Sequence, residues 1–117
     1  MADRGAVVWA PDPFKTDGKN PRPWLVVSDD RLPYASEESI AVAFTTQSRH
    51  PGSLTVPSDA WIRGEPKQQS YVLPWTIATL KDAVHVVGTQ GSVTATFANQ
   101  VVTATISYLD ESPRTDS

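Results

Sequence analysis

The sequence predicts a mainly β protein, a small β-barrel of five or six short strands with a C-terminal α-helix. Three observations predict it. Short apolar runs recur between Pro, Gly, Asn and Asp. Residues 39–46 alternate large and small apolar side chains with period two. From Val93 onward the apolar spacing changes to threes and fours, the period of a helix.

The elements follow in order. "AVVWA" (6–10) is a first strand, closed by "PDP". Residues 13–23, "PFKTDGKNPRP", read as a loop, because prolines and a "DG" pair do not suit a paired ladder. "WLVVS" (24–28) is continuously apolar, as in a central strand buried on both faces. In "SIAVAFTT" (39–46), Ile40, Val42, Phe44 and Thr46 mark the core side. Ala41 and Ala43 mark a side that is thinly covered or closely approached by another backbone.

"QSRHPG" (47–52) is a turn, and "SLTVP" (53–57) is a short strand ended by Pro57. Residues 58–69 read as irregular. "SYVLPWTIAT" (70–79) is a strand with a break near Pro74, and "AVHVVG" (83–88) is the last strand. The helix places Val93, Phe97, Val101, Ala104 and Tyr108 on one face, with Thr94 as N-cap. Its β-branched residues lower intrinsic helicity, so packing through Phe97, Val101 and Tyr108 must hold it; a strand is the alternative. Residues 1–109 form one domain, and the polar tail 110–117 is expected to be disordered.

Composition narrows the function. With no cysteine there is no disulfide framework and no thiolate metal site. His50 and His85 stand far apart in sequence, so no metal is expected. The chain has no run long enough to span a membrane and no signal-peptide pattern, so a soluble cytoplasmic protein is expected. Ten basic against thirteen acidic residues give a net charge of −3, which does not describe a strong nucleic-acid binder as a whole. A local basic face is compatible with Lys15, Lys19 and Arg22 before the first long apolar run; an ordinary mixed surface is the alternative. The Walker, dinucleotide, zincin and nucleophile-elbow motifs are missing.

Arg22 is the most informative residue. Pro21 and Pro23 fix their own φ, and Pro23 biases Arg22 toward extended geometry. A permanently charged planar fork is thereby held at the mouth of a buried strand. Such a fork suits bidentate binding of phosphate or carboxylate. The alternative is an arginine paired with Asp29, Asp30 or Asp12. Thr45 and Thr46 end an apolar strand, where a hydroxyl can bind phosphate or simply favour β geometry. Of four tryptophans, Trp9 and Trp24 read as core, and Trp61 reads as a surface aromatic able to stack on a base.

"RGAVVWA", "NPRPWLVVSDD" and "SIAVAFTTQ", in this order and spacing, resemble the MazF/PemK family of toxins from toxin–antitoxin systems. The likeness spans residues 4–109. It implies an SH3-like barrel, usually a homodimer, and a metal-independent endoribonuclease that cuts single-stranded RNA, needs no cofactor and is held by a cognate antitoxin. On the family's motifs, Arg22 would stabilise the pentacoordinate transition state and protonate or position the leaving oxygen. Thr45 would bind the phosphate. Lys19, Asn20, Thr46, Arg49, Trp61 and Arg63 are the candidate RNA-binding residues. Two positions depart from the family: "DGKN" replaces its loop "G-S-E-Q", and Ala78 replaces its second arginine. They favour the alternative of a catalytically degenerate RNA- or protein-binding module of the same fold.

Overall fold

The computed structural model describes residues 3–12 and 20–110. Residues 13–19 of the expected loop, Lys19 among them, and the tail beyond Asp110 lie outside the described residues. The strands are β1 (Ala6–Pro11), β2 (Pro21–Val26), β3 (Glu38–Thr45), β4 (Leu54–Thr55), β5 (Trp61–Arg63), β6 (Tyr71–Lys81) and β7 (Gly88–Val93). They form one seven-stranded sheet in the order β4-β6-β3-β2-β1-β7-β5. Every pairing is antiparallel. A short helical turn α1 (Asp82–His85) and a terminal helix α2 (Ala95–Ser107) complete it.

Register shifts interrupt the ladder at Val7/Val8, Ala41/Ala43 and Trp61/Arg63. Each such irregularity bends its strand, and together they curl the sheet into a half-barrel. The break expected near Pro74 lies opposite the second shift. Pro74 has no N–H, and the Thr76 hydroxyl takes over there: it accepts from Ala43 N at 2.8 Å and donates to Leu73 O at 2.6 Å.

Both faces of the sheet are buried. On one, Val7, Leu25, Val42, Phe44 and Val72 pack against Phe97, Ala98 and Val101 of α2. On the other, Trp24, Val26 and Leu80 pack with Val8, Ala10, Ala41 and Ala43. Trp24, Leu25 and Val26 are fully buried, as the continuous apolar run of β2 predicts. The alanine side of β3 is not thinly covered: Ala41 and Ala43 are buried. Trp24 lies opposite Ala43, and the small side chains make room for the indole. Its Nε1–H donates to Ala10 O at 3.1 Å.

The helix forms where the periodicity placed it. Thr94 caps it by accepting from Phe97 N, and Phe97 and Val101 are buried. Tyr108 is not part of its core face. It is exposed and meets Trp75 edge-on at 6.0 Å. Thr105 is buried instead and donates to Pro74 O at 2.8 Å.

Four expectations are corrected. β2 begins at Pro21, inside the stretch read as loop. Residues 83–88 are not a strand: the chain turns through α1, where Lys81 N donates to His85 Nδ1 at 2.8 Å. The last strand is Gly88–Val93, whose "GTQGSV" carries too little apolar signal to be read as one. The stretch 58–69 contains a 3₁₀ turn (Ser58–Ala60) and β5.

Close approach explains Gly64, just after β5, and Gly91 of β7. A Cβ on Gly91 would run into Arg63 O, and one on Gly64 into Gln90 O. Gly64 also has φ +76°. Gly64→Ala is expected to cost at least about 1–2 kcal/mol from left-handed backbone alone. Urea denaturation with an unchanged m-value checks this.

Candidate active site

The site arises where the β2–β3 ladder stops. Trp24, Leu25 and Val26 pair with Ala43, Val42 and Ala41. Just past them, Val27 N donates to Ile40 O at 2.9 Å. Hydrogen-bonded pairs alternate along an antiparallel ladder, so Leu25–Val42 and then Pro23–Phe44 fall in phase with this bond. Pro23 has no N–H to give. The ladder therefore ends, and the Phe44 carbonyl is left open to another donor.

Arg22 supplies that donor. Its Nε donates to Phe44 O at 3.1 Å, and Nη2 donates to the same oxygen. Nη1 donates to Asp12 Oδ2 at 3.0 Å, closing an ion pair at the end of β1. The arginine side chain is 27% exposed and the aspartate 10%. One N–H on each terminal nitrogen is left for a ligand.

Thr45 stands at the end of β3, half-buried, its Oγ1 accepting from Gln47 N at 3.1 Å. The hydroxyl proton remains to be donated. Arg22, Thr45, Thr46 and Ser70 line a cavity of about 210 Å³. A second cavity of about 310 Å³ shares Pro23, Phe44, Thr46 and Ser70 with it. It runs on to Trp9, Trp61, Lys67 and Gln68, so the two form one groove. Phe44 lies beneath Trp61, ring centroids 5.8 Å apart.

The fold thus brings Arg22, Thr45, Thr46 and Trp61 together. Asn20, Arg49 and Arg63 are exposed and line neither cavity. Ala78 pairs with Ala41 on β6 and packs on the Trp24 face, away from the groove. Trp9, expected in the core, is half-buried in the groove wall. Lys67, Gln68, Ser70 and Gln90 were not foreseen either. The polar run "PKQQS" gives no periodic signal, and Gln90 sits on the strand the pattern missed.

Of the three carboxylates weighed for Arg22, Asp12 is the partner. Asp29 belongs to a separate cluster, receiving Arg31 Nη2 at 2.9 Å and Arg4 Nη2 at 3.4 Å. Arg4 Nε also donates to Val27 O at 2.8 Å, tying the N-terminus to the end of β2. The Arg31 hydrogen bonds hold the Asp29 carboxyl at about 2, below its ordinary 3.8. A depressed carboxyl contributes stability above its ordinary value and loses it as pH falls toward 2. A carboxyl-carbon NMR titration should find the Asp29 midpoint near 2, rising toward 3.8 in Arg31→Ala.

Among the described residues, no group of three or more His, Asp or Glu is placed to hold a metal. Among the described residues, no helix is long and apolar enough to cross a membrane.

Fold and site define a class: a curled antiparallel half-barrel with a terminal helix and an arginine set at a ladder break. The model of the PemK-like, MazF-like toxins of type II toxin–antitoxin systems matches residues 3–109, and the chain belongs to that family. Among solved structures it is similar to an endoribonuclease in complex with its cognate antitoxin from a mycobacterial species. That match has TM-score 0.71 and 25% identity, covering 97% of this chain and 100% of that one. An endoribonuclease from a mycobacterial species matches with TM-score 0.69 and 26% identity, covering 96% and 95%. MazF from Deinococcus radiodurans, at 20% identity and TM-score 0.72 over 93% and 96%, shares the fold. Among curated protein sequences none matches.

Proposed function

We propose that this toxin-family protein is a metal-independent endoribonuclease of single-stranded RNA, with Arg22 and Thr45 at its centre. One observation carries the reading. A guanidinium fixed at a ladder break keeps an N–H on each terminal nitrogen beside a threonine hydroxyl, in a cavity of about 210 Å³. That arrangement suits the two non-bridging oxygens of a phosphodiester.

The step is a transesterification. The RNA 2′-oxygen bonds to the adjacent phosphorus, and the bond from phosphorus to the 5′-oxygen breaks. The products are a 2′,3′-cyclic phosphate and a 5′-hydroxyl. Solvent takes the 2′-hydroxyl proton and returns one to the leaving oxygen. Negative charge builds on the phosphorane, and Arg22 and Thr45 stabilise it. An arginine does not release its proton in a protein, so the work of Arg22 is electrostatic. Trp9 and Trp61 line the adjoining cavity, where an unpaired base can stack. Exposed Asn20, Arg49 and Arg63 would meet the strand beyond it.

The partners proposed are RNA, a cognate antitoxin and a second copy of the chain, in the cytoplasm. Trp75, Ile106, Tyr108 and Leu109 leave exposed apolar surface around the end of α2, which supports the homodimer. Pure protein incubated with long RNA and EDTA should cleave it. Intact RNA of several sequences beside folded protein would overturn the reading. Affinity without turnover would select the binding-module alternative.

A further inference from the structure

We infer that Asp12 is a positioning residue for Arg22: its carboxylate locks the guanidinium in the orientation that presents its remaining N–H groups to a phosphate. The inference rests on the endoribonuclease reading above.

The geometry leads there in three steps. First, the backbone alone does not fix the guanidinium. Phe44 O takes Nε and Nη2, both on one edge of the plane. A single acceptor atom is a pivot about which the planar group can swing. Asp12 Oδ2, at 3.0 Å from Nη1, is a second anchor on a different nitrogen. Two anchors at separate points determine a plane's orientation where one does not.

Second, Asp12 is itself held. It directly follows β1, whose Pro11 and Ala10 lie opposite Pro21 and Arg22. Proline at 11 and 21 stiffens both backbones beside the ion pair. The Asp12 side chain is only 10% exposed, so little solvent competes for its oxygens.

Third, Asp12 lines neither cavity of the groove. It is placed to act through Arg22 rather than on the RNA. Its charge also offsets that of Arg22. An anionic ground state then gains less from the pair than a phosphorane carrying one more negative charge. The consequence is an effect on kcat more than on KM.

The test uses Asp12→Asn, which keeps an acceptor and removes the charge, and Asp12→Ala, which removes both. On a single-site RNA, Asp12→Ala should lower kcat by about a hundredfold while KM moves less than about threefold, since loss of orientation acts on the reacting geometry. Asp12→Asn should fall between it and wild type. Rates are normalised to the folded fraction by circular dichroism, so a merely structural loss would not produce the split. A second readout is independent of cleavage. In nitrogen-15 NMR, the Arg22 Nη1 and Nη2 signals should be separate in wild type, because rotation about the Nε–Cζ bond is hindered, and should merge in Asp12→Ala. Separate signals in Asp12→Ala would overturn the inference whatever the activity. A kcat for Asp12→Ala within about twofold of wild type, on RNA that wild type cleaves, would overturn it too, because a positioned group's misplacement costs far more. If wild type cleaves no RNA, the endoribonuclease reading fails and the NMR comparison still decides the role of Asp12.

Discussion

Arg22→Lys should lower kcat/KM for RNA cleavage by about 10²–10³-fold, the loss typical of one removed transition-state donor. Lysine keeps the charge, so a purely electrostatic attraction for RNA would survive it. The site asks for more than charge. Arg22 reaches Phe44 O and Asp12 at once and still has an N–H on each terminal nitrogen to offer. An ammonium is one point with three donors, and committing them to the carbonyl and the carboxylate leaves it unable to grip two phosphate oxygens. Arg22→Ala should be at least as inactive. It also strips partners from a carboxylate 10% exposed and from the Phe44 carbonyl, so part of its loss will be stability. The lysine variant is therefore the cleaner measurement. Activity near wild type in folded Arg22→Lys would mean that the bidentate fork plays no part.

Much of this site could be read in the sequence, and the reason is local. Proline acts on its own φ and on its neighbour, so "PRPW" announced a stiffly held arginine before any tertiary contact was known. β2 and the Thr94 cap were readable for the same reason: burial on two faces leaves a continuous apolar run, and a cap is a single residue at a period change. What escaped depends on contacts distant in sequence. Pro21–Pro23 looked unfit for a ladder, yet β2 pairs there with β1, while the missing donor of Pro23 falls on the side facing β3. The same donor loss that argued against a strand is what opens the site. Trp9 looked like core because its strand is apolar, but it lies opposite Pro23 at the groove. Gly91 is in a strand because Arg63 O approaches too closely for any side chain, a fact about β5 that β7 does not encode. Asp12 as the partner of Arg22 was one option of three in sequence. Register chose it, by placing the end of β1 beside Arg22.

Trp24→Ala should destabilise the protein by about 3–5 kcal/mol, the range for truncating a fully buried large aromatic. Its indole is completely buried among Ala10, Ala41, Ala43, Val26 and Leu80. Three of those neighbours are alanines, which have no side chain able to lean into the space. Collapse is therefore poor, and the cost belongs toward the upper end of that range. The substitution also removes the Nε1–H donor from Ala10 O. Trp24→Phe separates the two contributions: it keeps most of the ring volume and loses that hydrogen bond, for about 1–3 kcal/mol. Equilibrium urea denaturation measures both, and equal losses for the two variants would show that the hydrogen bond, not the volume, dominates. The effect should reach the site. Trp24 holds β2 against β3 at the last pair before the ladder opens, two residues from Arg22. In the fraction that remains folded, Trp24→Ala should therefore lose cleavage as well as stability. A substitution at Val101, which packs α2 on the opposite face of the sheet, should lower stability with less effect on the rate per folded molecule.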